Sequence, residues 1–372
     1  MPIHDRLKYA RQRAGLSGPQ VKDRAGIGES SLSEFENGRR EPSLSQLQKL
    51  AEVYRRSVAF FLTEGPLPTE PAVLWRMRPP KDAEEIEVHF LRLCEQYHNL
   101  EVWCDELIPP CLPRAAGTAS VFDFRRTKAL AKEVRDHLQL GDRPGQSLLR
   151  VLEEVCAVKV FHLPFEPSGT AASTKSDSFG PAVLLNSANA RWRRNFDLAH
   201  ELFHLLTWEL FRHSADASSA VASEQEECLA NCFASHVLMP EEILRLTVEQ
   251  YLQDAKGTLP VDAVFNIARQ FDVSVDALMW QIHFLFRGPA DAETTKRQIE
   301  QIKAFAPLFE ERDQIEPQTW PVRYRALAAK AFRRGELSTG RFAEYLNISR
   351  QEAMRFVEQE IPDGEEVQVT PA

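Results

Sequence analysis

Apolar residues recur at intervals of three and four along most of this chain, and this spacing predicts amphipathic helices. Helix-capping and turn residues divide the first sixty positions into short elements, with Ser17 before Pro19 as one example. The five helices predicted there are Ile3 to Arg13, a second beginning after Ser17, Glu29 to Asn37, Ser43 to Tyr54 and Ser57 to Leu62.

A long helix is predicted from Glu84 to Leu107, after a proline-rich linker between Gly65 and Pro80. This helix could be a spacer between domains, a dimer contact or part of a domain core. Simple packing in a core is the favoured interpretation. The other predicted helices are Arg126 to Leu140, Ser147 to Val155, Val261 to Phe271, Ser274 to Trp280, Gln298 to Phe309, Tyr324 to Arg334, Ser338 to Leu346 and Ser349 to Glu358.

Two short segments have the pattern of β-strands, Val158 to Phe161 and Pro181 to Asn186. Residues 168–180 between them are small and polar. They could form an ordinary surface loop, or a strand there could pair with an extended peptide by edge addition. The chain as a whole is therefore predicted to be mainly α with a small β-sheet, an α+β fold.

The segment from Phe196 to Leu206 carries candidate chemistry on a helical pattern. His200 and His204 are four residues apart, so both imidazoles lie on one helix face and could hold one metal ion. Glu201 stands beside them as a candidate general base on a metal-bound water. Taken alone, the five-residue motif from His200 to His204 is equally compatible with two surface histidines on an amphipathic helix.

A second helical run, from Ser223 to Ala234, could supply the third protein ligand that a zinc ion needs. Glu227 falls one turn before Asn231, so one face could present a carboxylate to the metal and an amide to a ligand histidine. The alternative is that Glu224, Glu226 and Glu227 form a solvated helix N-terminus. We expect that alternative to hold for two of the three.

These two runs, with Leu238-Met239-Pro240 after them, resemble the ImmA/IrrE family of metallopeptidases over roughly residues 120 to 285. The resemblance implies a thermolysin-like zincin domain that binds Zn²⁺ and cuts specific repressor proteins. It implies His200, His204 and Glu227 as ligands and Glu201 as the catalytic base. His236 departs from the family pattern; it is a core histidine or an extra polar group near the site, and the core position is favoured.

The N-terminal residues resemble the lambda-repressor or XRE type of helix-turn-helix, in Arg11, Gly15-Leu16-Ser17, Ala25-Gly26-Ile27 and Glu36 to Ser43. The resemblance implies binding of duplex DNA by the third helix. The residues it implies in contact with bases or phosphates are Ser30, Ser31, Ser33, Asn37 and Arg39.

Three residues depart from that pattern: Gly18 replaces a common phosphate-contacting glutamine, and Glu29 and Glu34 add negative charge. Residues 1–65 hold 3 Lys and 8 Arg against 8 acids, a net charge of +3 in a chain of net charge −9. Carboxylates near phosphates oppose the main electrostatic source of affinity. A helical module that binds protein in place of DNA is therefore the alternative.

Composition indicates a multidomain cytoplasmic protein. Of the 372 residues, 43% are hydrophobic, which suffices for several cores, and no run approaches the roughly 20 apolar residues of a membrane span. No signal peptide precedes the first helix. The six cysteines form no C-x-x-C pair and are interpreted as buried thiols, including Cys228 and Cys232.

Five regions are predicted: 1–65, a helix-turn-helix domain; 66–118, linker and long helix; 119–290, the peptidase domain; 291–360, a helical C-terminal domain; and 361–372, a disordered acidic tail. Two functions compete. One is a DNA-binding zinc endopeptidase that cleaves a repressor or antitoxin-like protein in a stress or mobile-element response. The other is a transcription regulator whose peptidase-like domain only senses a ligand or partner. A homodimer is considered in either case.

Overall fold

The computed structural model describes residues 2–14, 16–54, 56, 58–62, 71–109, 111–119, 122–167, 170–212, 222–254, 259–286, 292–308, 317 and 320–360. Within these ranges the chain is mainly helical, with a small mixed β-sheet, as the sequence predicts. The predicted tail, 361–372, lies outside the described residues. The predicted domain boundaries and the thermolysin-like geometry stay predictions.

The N-terminal helices pack around their own apolar core, which includes Leu7, Val21 and Phe35. Two of these helices begin with capping boxes, in which Ser17 and Ser43 each pair with the glutamine three residues on. The helices here are α1 (Ile3–Arg13), α2 (Gly18–Ala25), α3 (Glu29–Glu36), α4 (Leu44–Val53) and α5 (Val58–Leu62).

The sheet has the strand order β1-β3-β4-β2. Strands β2 and β4 are parallel, whereas β3 is antiparallel to both of its neighbours. The strands are β1 (Val73–Trp75), β2 (Lys159–Leu163), β3 (Ala171–Ser176) and β4 (Gly180–Asn186).

Helices cover both faces of the sheet, and alternate strand residues enter the two cores. On one face, Val160, Ala171 and Val183 join a large core with several helices. On the other, Phe161 and Ala172 join a second core. The first core includes residues of α7 (Phe124–Leu138), α8 (Pro144–Glu154), α9 (Arg191–Leu206), α11 (Glu224–Leu238) and α13 (Val261–Phe271); the second includes residues of α6 (Ala83–Trp103), α16 (Val322–Arg333) and α17 (Thr339–Leu346).

Four of the five remaining helices also contribute buried residues to these two cores. Helix α14 extends beyond the predicted end at Trp280, and α15 begins before the predicted start at Gln298. They are α10 (Trp208–Phe211), α12 (Glu241–Asp254), α14 (Val275–Phe286), α15 (Ala292–Lys303) and α18 (Arg350–Glu360), with a 3₁₀ turn at Ala306–Leu308.

The long predicted helix is confirmed as α6, and it packs in the core on the second sheet face. It ends earlier than predicted, because Asp105 adopts a left-handed backbone conformation (φ 54°) directly after the C-cap. Among the three readings of this helix, core packing agrees with the structure.

Two strands contradict the sequence interpretation. Val73–Trp75, inside the predicted linker, forms β1, and residues 171–176, read as loop or edge, form an inner strand between β1 and β4. Both faces of β3 are covered, so its small residues show no alternation of polar and apolar positions. That is why periodicity did not reveal it.

Candidate functional site

Helix α9 carries His200, Glu201 and His204, all with no solvent exposure. Helix α11 packs directly on α9 and brings Glu227 and Asn231 to the same place. The structure therefore brings together all five residues that the sequence singled out for the metal site. Their roles as ligands, base and orienting amide remain proposals.

His200, His204 and Glu227 form a compact group of candidate metal ligands. The two Nε2 atoms are 3.2 Å apart. Glu227 places one oxygen 3.2 Å from Nε2 of His200 and the other 3.5 Å from Nε2 of His204. A tetrahedral ion with bonds of about 2.0–2.1 Å needs ligand atoms roughly 3.3 Å apart, so this triangle fits zinc.

The tautomer of His200 follows from its hydrogen bonds. Asn231 Oδ1 accepts from Arg76, whose guanidinium can only donate, at 3.0 Å. The same Oδ1 lies 3.1 Å from Nδ1 of His200, so Nδ1 is the donor there. Because Nδ1 carries the proton, the lone pair of a neutral His200 is on Nε2 and points at the candidate metal position.

Glu226 performs the same role for the second histidine. Its carboxylate accepts from Nδ1 of His204 at 2.8 Å and from Arg212 at 2.8 Å. Glu226 is buried, so it does not belong to a solvated helix N-terminus. The expectation that two of the three acids are solvated was therefore wrong, because Glu224 alone among them is exposed.

The pKa values of the metal-free group are shifted by burial and by these contacts. Burial lowers the pKa of His200 to about 4, although its contact with Glu227 opposes this. Burial also disfavours a charged His204, but hydrogen bonds to Glu226 and Glu227 outweigh burial and raise its pKa to about 9. Burial raises the pKa of Glu227, yet its bonds to both histidines prevail and lower it to about 2.

These charges fit a cation at the centre. Neutral His200 directs a lone pair toward a carboxylate oxygen of Glu227, and two acceptors at 3.2 Å repel unless a positive group lies between them. Protonated His204 places its Nε2 proton at that centre. A metal ion that displaced this proton would satisfy all three side chains.

Glu201 is held beside the candidate metal position by the sheet. Its Oε2 accepts from Ser173 Oγ at 2.6 Å, and its Oε1 has no hydrogen-bond partner within the described ranges. Burial raises the pKa of Glu201 to about 7, with nearby His204 and the Ser173 hydroxyl opposing. A carboxyl whose pKa is near neutrality suits both taking up and giving back a proton.

Sequence reasoning missed Glu226, Ser173 and Arg76. A signal for Glu226 was present, because it precedes Leu229 and Ala230 by three and four residues and so shares their buried stripe. Ser173 and Arg76 had no such signal, since Ser173 reaches the site from β3 and Arg76 from the position directly after β1.

His236 is a core histidine, as favoured. Its Nδ1 lies 2.8 Å from the carbonyl oxygen of Cys232, and its Nε2 lies 3.1 Å from Glu241. It does not belong to the metal-ligand group. The interpretation of Cys228 and Cys232 as buried thiols was wrong, because Cys228 is exposed and Cys232 is half-buried.

The third N-terminal helix and the turn after it carry the residues predicted to contact DNA. Ser30, Ser33, Asn37 and Arg39 are exposed, and Ser31 is half-buried. The Asn37 side chain donates to the carbonyl oxygen of Ser33 at 2.7 Å, so it also closes the end of α3. The structure leaves these side chains on the surface, and their contacts with DNA remain proposals.

The acidic residues of this surface differ in their surroundings. Glu34 lies 3.5 Å from Arg40, which partly neutralises it. Glu29 is exposed beside Gly18, with its carboxylate within 4 Å of the position that a side chain at Gly18 would occupy. Arg11 links α1 to α3 by donating to both carboxylate oxygens of Glu36, at 2.6 and 2.8 Å.

Comparison with protein families finds two domains in the predicted order. Residues 7–61 match the helix-turn-helix family of the XRE type, and residues 153–281 match the family described as the IrrE N-terminal-like domain, whose model is named for peptidases. Both resemblances drawn from the sequence are thereby confirmed. No helix in the described ranges has the length and apolar composition needed to cross a membrane.

Curated relatives match over a smaller part of the chain. The HTH-type transcriptional regulator PuuR of Escherichia coli K12 is 38% identical over 69 residues, which are 18% of this chain and 37% of that protein. The HTH-type transcriptional regulator ImmR of Bacillus subtilis 168 is 36% identical over 62 residues, 17% of this chain and 49% of that protein. The chain thus matches less than half the length of either relative.

Proposed function

We propose that this chain, which joins a helix-turn-helix domain to an IrrE N-terminal-like domain, is a DNA-binding regulatory zinc endopeptidase. Its substrate would be a specific repressor or antitoxin-like protein in the same cytoplasm. Cleavage would relieve repression in a stress or mobile-element response. The substrate class rests on family resemblance alone.

One observation carries the peptidase part of this proposal. Both histidines donate through Nδ1, to Asn231 and Glu226, so both Nε2 atoms are directed at one point beside Glu227. Two buried side chains with orienting partners of this kind are characteristic of metal ligands. Three protein ligands, here His200, His204 and Glu227, are the number typical of catalytic zinc sites.

His200, His204 and Glu227 would hold a zinc ion, which would supply Lewis acidity toward a scissile carbonyl and a water molecule. Glu201 takes a proton from the attacking water on its free Oε1 and later gives that proton to the leaving amine nitrogen. Ser173 keeps the other oxygen of Glu201 in place through both transfers. Burial of the helix surface around these residues keeps bulk water from competing.

The sensor reading has less support. A domain that only binds a ligand has no use for an acidic side chain such as Glu201, buried at the metal position with one free oxygen. Burying such a carboxyl without a full set of partners destabilises a fold. That cost is more readily explained by a catalytic base than by a ligand sensor.

DNA binding is proposed for the N-terminal domain. The helix-turn-helix match, the exposed α3 residues and the net charge of +3 in residues 1–65 support it. A symmetric site would require a homodimer, which is part of the same proposal.

The proposed function is tested by incubating purified, zinc-loaded protein with candidate helix-turn-helix proteins encoded nearby and following cleavage by mass spectrometry. The matched control is Glu201→Gln, which keeps the shape of the side chain but removes the base. It should retain zinc and lose about 10²–10⁴-fold in cleavage rate. If Glu201→Gln regulates target genes as well as wild type while His200→Ala does not, the sensor reading is correct.

A further inference from the structure

Arg76 comes from the segment between the two matched families, yet its side chain reaches the candidate metal site. Its backbone continues the ladder that β1 forms with β3, donating from its N–H to the carbonyl oxygen of Ala171 at 3.1 Å. Met77 extends the pairing one residue further, through its N–H to Thr170 Oγ1 at 3.2 Å. The backbone on both sides of the Arg76 side chain is therefore fixed to the sheet.

The neighbours of Arg76 hold this strand in place. Val73 and Trp75 enter the core on the second sheet face. Trp75 is 3% exposed, donates to Glu87 at 2.8 Å and packs edge-on against Phe165. The buried tryptophan therefore anchors this strand to the core beneath the sheet.

On the opposite face, the Arg76 guanidinium bridges the two helices that carry the site. NH1 lies 2.6 Å from Asp197 Oδ1 on α9, and NH2 lies 3.0 Å from Asn231 Oδ1 on α11. The planar fork of an arginine can engage two acceptors at once in fixed directions, which the single ammonium of a lysine cannot do. The side chain is only 16% exposed, and Asp197 is fully buried.

We propose that Arg76 is a positioning residue for the metal site, acting on His200 through Asn231. By donating to Asn231 Oδ1, Arg76 fixes the orientation of that amide, because the reversed amide would direct N–H groups at the guanidinium. The fixed Oδ1 then accepts the Nδ1 proton of His200, and Nε2 remains available to the ion. This inference rests on the proposed zinc site.

The consequence is that the site includes a residue from outside the family match of 153–281. The segment that joins the DNA-binding domain to the peptidase domain is part of the support for a metal ligand. Arg193, on α9 itself, also contacts Asp197, at 3.1 Å.

Zinc affinity of the full-length protein, measured by competition with a chromophoric chelator, tests the proposal. Arg76→Ala should weaken zinc binding by about 10–100-fold, the usual effect of removing a partner of a metal ligand. Arg76→Lys should fall between Arg76→Ala and wild type. Arg78→Ala, in the same segment but paired with Glu84 and Glu87, is the matched control and should leave the affinity within about twofold.

A double-mutant cycle shows whether Arg76 acts through Asn231. The double variant Arg76→Ala/Asn231→Ala should bind zinc no more weakly than Asn231→Ala alone. The amide through which Arg76 acts on His200 is already absent in the single variant. Replacing zinc by Co²⁺ adds a spectroscopic readout, since a reoriented imidazole changes the visible absorption bands. Arg78→Ala, the matched control, should leave that spectrum unchanged.

The proposal fails if Arg76→Ala lowers thermal stability but leaves zinc affinity and the Co²⁺ spectrum as in wild type. It also fails if the two substitutions weaken binding independently. Either outcome is separate from failure of the proposed function, in which the wild-type protein itself binds no zinc.

Discussion

Glu226 Oε1 lies 2.8 Å from Nδ1 of His204, on the side of the imidazole away from the candidate metal position. The adjacent residues Glu226 and Glu227 of α11 therefore contact different ring nitrogens of His204. Glu227 faces Nε2, where a metal ion would bind, and Glu226 holds the opposite nitrogen.

Replacing Glu226 should weaken the metal site without removing a ligand. Glu226→Gln keeps an acceptor for Nδ1 but loses the charge that makes the imidazole a stronger donor to the metal. We expect zinc affinity to fall by about 10-fold, the lower end of the range for such partners. Glu224→Gln, an exposed residue in the same helical turn, is the control and should leave affinity unchanged. Equal effects of the two substitutions would contradict the assignment.

Removing a ligand should have a larger effect than removing a partner. Roughly one zinc per chain should copurify with or rebind to wild type, and His200→Ala or His204→Ala should abolish it. Glu227→Ala should weaken binding more than Glu226→Ala does. Elemental analysis of the purified variants measures this order. If Glu226→Ala loses the most zinc, the third ligand is Glu226 and the choice of Glu227 is wrong.

Zinc affinity should rise with pH, because a proton on His204 competes with the ion. The pKa of His204 is about 9 in the metal-free protein, whereas the pKa values of His200 and Glu227 are about 4 and 2. Between pH 7 and 9 the ion must displace one proton, so affinity should increase roughly tenfold per pH unit and level off above pH 9. Because Glu201 has a pKa of about 7, loss of its proton should also add to the increase of zinc affinity with pH near pH 7. Chelator competition at several pH values measures the slope, and a flat profile would exclude His204 as a ligand.

DNA binding by the N-terminal domain should weaken steeply as salt concentration rises. Arg39→Ala should lower affinity for all duplexes, whereas Ser31→Ala should change the preference among sequences. Glu29→Gln should raise affinity by removing an exposed carboxylate near the phosphates. Arg150→Ala, whose side chain is 72% exposed on α8, is a charge-matched control. Fluorescence anisotropy measures each variant, and a wild type that binds no duplex would favour a protein-binding module.

The helical layers and the residues of α9 and α11 could be predicted because their signals are local. A spacing of four residues in one helix determines that His200 and His204 share a face, whatever the rest of the fold. The same periodicity places Glu227 one turn before Asn231. These inferences need no knowledge of which elements pack together.

The rest of the site depends on contacts between distant parts of the chain. Ser173 reaches Glu201 across 28 positions and Arg76 reaches Asp197 across 121, so neither pairing leaves a periodic signal. Strands β1 and β3 were missed for a related reason. One is only three residues long, and the other is covered on both faces by helices.

The second face of the sheet is covered by α6, α16 and α17, and its edge is completed by β1. All four elements lie outside residues 153–281. A fragment trimmed to that match would leave Phe161 and Leu184 facing water and would lack Arg76. The unit that has to fold together therefore extends beyond residues 153–281, and a fragment cut at those bounds should be less stable than the full chain.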